Sequence, residues 1–297
     1  MNMIFFYGVR VIRSKVPAPK SNFAVRTIFS DWYLEIGKMT GVPVRISVRI
    51  ENLSRRNITD LLIRVLGMRE DYHQDIVRIK ATYEVETKRD KHGNIYHIMS
   101  IPLLKKRSSI TVEIEYNIIT RPYRIDTWSA VDLEFVKEEF LKSQPYQKHT
   151  AQKIQKIAAS IRSSDTMITI KNAVLWVLKN VKYEKTYRRY SVTDTLSRRR
   201  GSCLSIADLL VAILRSLNIP ARVVRGLYLN RLHAWVEAYV ERESKVYVVP
   251  IDPLAGIIGA LGSIWISHHA EFSTRQKEVE IDSSDVRWTY SIVIEYP

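Results

Sequence analysis

Between Gly201 and Pro253 the sequence leaves the backbone little freedom. Cys203, the only cysteine in the chain, precedes an apolar stripe of Leu204, Ala207, Val211 and Leu214, with Leu210 and Leu217 beside it. That spacing predicts an amphipathic helix. Asn218-Ile219-Pro220 ends it, because proline excludes helical geometry from the residue before it. Cys203 therefore falls at a helix start. Unpaired N–H groups and the positive end of the helix dipole favour a thiolate there.

The following residues predict strands. Ala221–Leu229 is the first, and Leu232–Val240 alternates strictly, with His233, Trp235, Glu237 and Tyr239 on one face and Ala234, Val236, Ala238 and Val240 on the other. A polar turn at Glu241–Ser244 leads to a third strand, Lys245–Ile251, which ends in Asp252-Pro253. Pairing Val240 with Lys245 sets His233 directly opposite Asp252, Trp235 opposite Pro250 and Glu237 opposite Val248. Counting alone thus builds a His–Asp pair on one face. Singly, each residue has an ordinary explanation: a small core thiol, a strand histidine, a turn aspartate. Jointly they supply the nucleophile, base and orienting acid of a catalytic triad.

The text GSCLSIADLLVAILRSLNIPARVVRG, then HAWVEAYV, then VVPIDP resembles the transglutaminase-like branch of the papain-like cysteine enzymes. The resemblance covers about Gln152 to Pro297. It implies an α+β catalytic domain in which Cys203, His233 and Asp252 form the triad. Two positions depart from the family pattern: Ser205 stands where an acidic residue is common, and Asn218 where glycine is usual. Tyr183, after the second helix, matches a tyrosine common in the family, and Ser191–Leu196 is similar to its approach to the nucleophile.

A net charge of +15 at pH 7 and a sequence pI near 9.8 would suit an anionic partner such as nucleic acid or an acidic substrate. Much of the excess, however, alternates with apolar residues, as in Val44–Ile50, and so predicts a solvated sheet face. No RNA-recognition, zinc-finger or phosphate-loop signature appears, which makes nucleic acid the lesser expectation. The seven histidines show no metal spacing, so neither metal nor cofactor is expected. Lys182–Arg200 holds seven basic residues against two acidic. It predicts either a solvated loop or a positive rim for an acidic protein or peptide substrate. No apolar run reaches the ~18 residues of a membrane span. The opening MNMIFFYGVR lacks the form of a secretory signal, and one cysteine excludes an internal disulfide, which together predict a cytoplasmic protein.

Before the cysteine region the pattern is β. The expected strands are Phe23–Ile36, Val44–Ile50, Ile58–Leu66, Ile76–Glu86, Ile95–Ile101 and Ile110–Ile119, preceded by a stiff Pro17–Ser21 linker. They predict an all-β, immunoglobulin-like accessory sandwich over residues 1–125. A linker with a helix at Val131–Lys142 spans 126–150. A catalytic domain spans 151–297, with helices at Gln152–Ile161 and Met167–Val181 and closing strands at Lys277–Ile281 and Val286–Tyr296. Leu254–Ile266 reads as a buried loop or short helix. Since no triad member precedes Cys203, a chain starting near Gln144 is expected to fold and keep a reactive thiol.

The expected activity is acyl transfer through a thioester on Cys203, ending in hydrolysis of a peptide or amide bond. Protein crosslinking by amine transfer is the alternative, as is a binding protein for anions with a vestigial triad. The N–H of Cys203 is one expected oxyanion donor, and Tyr183, Trp176 and Trp235 are candidates for further oxyanion or substrate contacts. The oligomeric state is not specified by the sequence.

Overall fold

A computed structural model describes residues 5–6, 9–13, 32–34, 40–121, 123–127, 133–186, 188–228, 231–261, 265–270 and 278–294. The expected Pro17–Ser21 linker and most of the expected Phe23–Ile36 strand lie outside them. Phe5–Phe6, Val9–Arg13 and Trp32–Leu34 form a three-stranded sheet.

Six strands follow in order: β1 (Thr40–Asn52), β2 (Ile58–Leu66), β3 (Gln74–Ala81), β4 (Glu86–Arg89), β5 (Ile95–Leu104) and β6 (Ser109–Thr120). The run expected as one strand over Ile76–Glu86 is two, β3 and β4, which lie in different sheets. In β1, Val44, Ile46, Val48 and Ile50 are buried. Arg45 lies on the opposite face, near Glu113 and Glu115 of β6. Part of the basic excess is thus a solvated sheet face.

The sandwich is closed by the far end of the chain. Val279–Ile281 (β11 in chain order, after the strands given below) pairs with β2, and Val286–Ile294 (β12) pairs with β1. Among the described residues the result is two four-stranded antiparallel sheets, ordered β11-β2-β5-β4 and β12-β1-β6-β3. The expectation that these strands close the catalytic sheet is corrected. Val279, Ile292 and Ile294 enter the same core as Val44, Ile63 and Ile114, and a period of two fixes which side is apolar without naming the partner strand.

The rest of the chain packs helices on a further, separate sheet. Its elements are α1 (Leu133–Phe140), α2 (Gln152–Ile161), α3 (Thr166–Asn180), α4 (Val192–Arg198), α5 (Cys203–Ser216), β7 (Ala221–Tyr228), β8 (Arg231–Arg242), β9 (Lys245–Asp252) and β10 (Trp265–Ala270). The helix expected at Val131–Lys142 is α1, Leu133–Phe140. The sheet order is β9-β8-β7-β10, with Asp126–Thr127 extending it beyond β9. The expected buried loop or short helix at Leu254–Ile266 forms no helix in its described residues, 254–261 and 265–266. Its described part carries Ile257–Ile258, paired with β9, and Ala260–Leu261, paired with Tyr123–Arg124. Gly256 and Gly259 turn the chain there at φ 67° and 86°, which glycine adopts without steric cost.

Every residue of α5 from Ser205 to Arg215 is buried. One face of β8 (Ala234, Val236, Ala238 and Val240) packs in the core built around α5. The helix ends with Asn218 left-handed at φ 63° and the Ile219 N–H donated to the Leu214 carbonyl at 2.9 Å. This is the closure that glycine usually supplies, and asparagine is the residue that next best tolerates it.

The other face of β8 is buried against the sandwich side and its connection. Trp235 Nε1 donates to Tyr123 Oη at 3.2 Å, and Tyr123 also bonds Glu237 and stacks on His73 at 3.8 Å between centroids. Glu237 accepts from Arg222 Nε at 2.6 Å and from Tyr239 Oη at 3.1 Å. His73 meets Asp71 at 2.5 Å, and Asp71 accepts from Ser267 Oγ of β10. Burial opposes ionisation of Asp71, but His73 and Arg69 outweigh it and hold its carboxyl well below the usual carboxylate range. Arg222 and then Arg69 likewise overcome burial at Glu237 and lower its pKa.

These contacts reverse the expectation for truncation. A chain beginning at Gln144 lacks Tyr123, His73 and Asp71, exposes Trp235 and opens the Arg222–Glu237 pair to water. It also leaves β11 and β12 without β1 and β2. Near-UV circular dichroism of that chain is expected to lack fixed aromatic signals. A cooperatively unfolding truncation with native-like thiol reactivity would show the two parts to be independent.

Candidate active site

The candidate centre forms where the start of α5 meets the ends of β8 and β9. Ser202 caps the helix, its Oγ accepting from the Ser205 N–H at 3.3 Å. The expected start at Cys203 is therefore the observed one. Gly201 enters tightly: a Cβ there would lie 3.0 Å from Ser205 Cβ and 3.3 Å from Thr195 Cγ2. Ser205, the departure from the family pattern, is fully buried, and its Oγ accepts from the Tyr190 N–H at 2.9 Å. It ties the 184–190 segment to the cysteine helix. A second tie is stronger. Arg189 forms a two-pronged contact with Asp208 at 2.7 and 2.8 Å, Gln147 donates to the same carboxylate at 2.8 Å, and Tyr146 lies under the guanidinium.

The hairpin brings His233 and Asp252 together, in a register other than the expected one. Arg242 pairs with Lys245, so the turn is Glu243-Ser244, both left-handed at φ 52° and 58°. Two positive φ values in a two-residue loop match the right-handed twist of the strands. Relative to the expected register, β9 has moved by two residues. Glu237 faces Pro250 rather than Val248, and Tyr239 faces Val248. Asp252 becomes a diagonal neighbour of His233 instead of its direct partner. A slip of two keeps every side chain on its face, and His233 Nε2 lies 3.3 Å from Asp252 Oδ2. The remaining carboxylate oxygen of Asp252 accepts from the Leu254 N–H at 3.0 Å.

The histidine ring is held by Asp252 and is also acted on by Cys203. Burial disfavours its cation, but hydrogen bonds to Asp252 and to Cys203, with the charges there, outweigh burial and push its pKa up to about 9. Cys203 is half-buried and its thiol is free of disulfide. Tyr228 sits beside this group, its ring 6.1 Å from the imidazole. Burial, then the Asp252 charge, raises its pKa. Sequence reading missed it, although Tyr228 and Arg231 flank the short β7–β8 connection, two positions from His233.

The other sequence candidates divide. Trp235 is fully buried and its N–H is donated to Tyr123, so it supports the sheet from below and offers no oxyanion donor. Trp176 packs half-buried against the helical core. Tyr183 is 56% exposed and sits beside Gly201 in a two-residue parallel ribbon, Lys182–Tyr183 with Arg200–Gly201.

Residues 151–253 match the model of the transglutaminase-like superfamily. Among curated proteins none matches the sequence. A candidate cysteine protease from Cytophaga hutchinsonii has a similar structure, with TM-score 0.63 and 17% identity over 87% of this chain and 90% of that one. Weaker likenesses are the periplasmic domain of TgpA from Pseudomonas aeruginosa (TM-score 0.38, 14% identity, 72% and 90% covered) and Legionella pneumophila LapG (TM-score 0.36, 14% identity, 49% and 86% covered). Of these the first shares the fold, sandwich included. Among the described residues, no helix is long and apolar enough to cross a membrane.

Two outcomes follow from this geometry. Gly201→Ala is expected to cost about 1–3 kcal/mol through overpacking, read as a lower urea midpoint, because Ser205 Cβ is fixed to the helix and has no room to move. The pH dependence has a definite sign. A folded-state pKa of about 9 against about 6.5 unfolded means that His233 stabilises the fold fully below pH about 6.5 and loses that contribution as pH rises through about 9. Urea denaturation at the two ends of that window is expected to show a smaller loss in Asp252→Asn than in the wild type.

Proposed function

We propose that the chain is a cysteine-dependent acyl-transfer enzyme whose nucleophile, base and orienting acid are Cys203, His233 and Asp252, and that it hydrolyses a peptide or amide bond. The observation that carries this reading is the imidazole of His233 held 3.3 Å from Asp252 while Cys203 also acts on it to favour its cation. The transglutaminase-like match over 151–253 supports it.

The Cys203 sulfur attacks the carbonyl carbon as thiolate, and the carbonyl oxygen takes up the negative charge. The N–H of Cys203, among the unpaired donors at the helix start, stabilises that charge. Protonated His233 gives its proton to the departing amine as the C–N bond breaks, leaving a thioester on sulfur. A water then attacks the thioester while neutral His233 takes its proton. The C–S bond breaks, the acid leaves and the thiolate returns. Asp252 fixes the ring's orientation and offsets the cation during both transfers.

Water, at ~55 M, is the default acceptor unless a site excludes it. Cys203 is only half-buried and His233 keeps 15% of its side-chain surface, which favours hydrolysis over amine transfer. The proposed setting is cytoplasmic, where a lone thiol stays reduced. Incubation with a peptide-amide library, read by mass spectrometry, is the test. Free acid products are expected, lost on Cys203→Ala and His233→Ala and reduced about 100-fold or more by Asp252→Asn. Products linked to an added amine in place of the acid would assign the amine-transfer reaction instead. Turnover unchanged in Cys203→Ala would sink the proposal.

A further inference from the structure

The seven cations of Lys182–Arg200 are not equivalent. Arg189 is committed to Asp208, and Arg198 contacts Glu184 at 3.2 Å. Lys182, Lys185, Arg188, Arg199 and Arg200 are exposed and have no acidic partner among the described residues. Their placement is unfavourable for the chain by itself. The parallel ribbon sets Lys182 beside Arg200, and like charges on adjacent strands repel. Arg199 holds φ 51°, a left-handed conformation that costs an ordinary residue about 1–2 kcal/mol.

This crowded segment lies against the nucleophile. Glu184 N–H donates to the Gly201 carbonyl at 2.8 Å, and Ser202 Oγ donates to the Arg188 carbonyl at 3.2 Å. Both acceptor and donor belong to the two residues immediately before Cys203. Tyr190 lies under the guanidinium groups of Arg198 at 4.4 Å and Arg188 at 5.2 Å, which organises the cations on that side.

We infer that these five cations form an anion-reading rim that selects acidic peptide substrates, with carboxylates flanking the bond presented to Cys203. The inference rests on the acyl-transfer reading above and names its substrate class. A peptide is favoured over nucleic acid because single strands stack successive bases on several free aromatic faces, whereas among the described tyrosines of this segment only Tyr183 is exposed and Tyr190 is occupied by two guanidinium groups. Tyr183, exposed beside Gly201, offers one surface for an apolar side chain between the charges.

The test compares three peptidyl vinyl sulfones that differ only in carrying Asp-Asp, Asn-Asn or Lys-Lys next to the electrophile. The rate of Cys203 labelling is divided by the iodoacetamide rate of the same protein. The Asp-Asp probe is expected to react about tenfold faster than Asn-Asn at about 50 mM salt, with Lys-Lys slowest and most of the spread gone at about 500 mM, as screening predicts. Lys182→Glu/Arg200→Glu should abolish or invert the order. The single Lys185→Glu, at an exposed position, should narrow it even if the double variant misfolds. Equal wild-type rates for the three probes, with iodoacetamide labelling still dependent on His233, would overturn the rim and leave the acyl-transfer reading standing. Iodoacetamide labelling indifferent to His233→Ala would overturn both. A single-stranded oligonucleotide that blocks all three probes alike would overturn the peptide assignment in favour of nucleic acid.

Discussion

From Ala234 to Val240 both faces of strand β8 are buried, and the remaining architecture follows from what each face requires. Ala234, Val236, Ala238 and Val240 are small or branched and let α5 lie close on one side. Trp235, Glu237 and Tyr239 on the other side are large and polar-tipped, and each tip must find a partner once water is removed. Arg222 comes from the neighbouring strand β7. Tyr123 comes from the connection after the sandwich, and His73 and Asp71 from the sandwich edge. A buried ion pair of this kind contributes little net stability over a well-packed apolar pair, but removing one partner is strongly destabilising. The sandwich is therefore part of what makes Glu237 tolerable, in addition to any part it takes in substrate choice.

The elements legible in the sequence were those determined by local chemistry. The start of α5 near Cys203 was legible from the apolar stripe that follows it, and its end from Asn218 and Pro220, while the Ser202 cap emerged only in the structure. Parity along β8 and β9 placed His233 and Asp252 on one face. Parity survives any even slip, so the pairing held while the register itself moved by two. The turn chemistry that fixes that register, Glu243-Ser244 at positive φ, uses residues without a strong left-handed preference, and the sequence carried no signal for it. The closing strands β11 and β12 were recognised as strands and assigned to the wrong sheet. Their partners lie more than 200 residues away in β2 and β1, and alternation is silent about distance.

Charge was the least legible property. Composition reports a large positive excess and nothing about its use. Arg45 stands over carboxylates on a sandwich face, Arg222 and Arg69 neutralise buried acids, and Arg189 holds a loop to α5. Only after these are set aside does the uncompensated group beside Gly201 separate from the background. Ser205 shows the same limit at a single position. In the sequence it is no more than a departure from a family pattern. In the structure it is a buried acceptor that holds the Tyr190 backbone.

On the proposed reading, the nucleophile Cys203 and the base His233 are supported by different shells, so the site would fail in two different ways. Cys203 is positioned by Gly201, Ser202, Ser205 and the 184–190 segment, all on the helical side. His233 is carried by β8, two residues from Trp235 and four from Glu237, both of which bond Tyr123 of the connection after the sandwich. Disturbing the first shell alters where the sulfur sits while leaving the His233–Asp252 contact intact. Disturbing the second alters the imidazole while the helix start remains capped. Damage far away in the sandwich reaches the chemistry through the base, because the buried chain from Asp71 through His73 and Tyr123 ends on the strand that carries His233. The cysteine side has no comparable connection to the sandwich among these contacts, so a sandwich variant should impair proton transfer before it impairs the reach of the thiol.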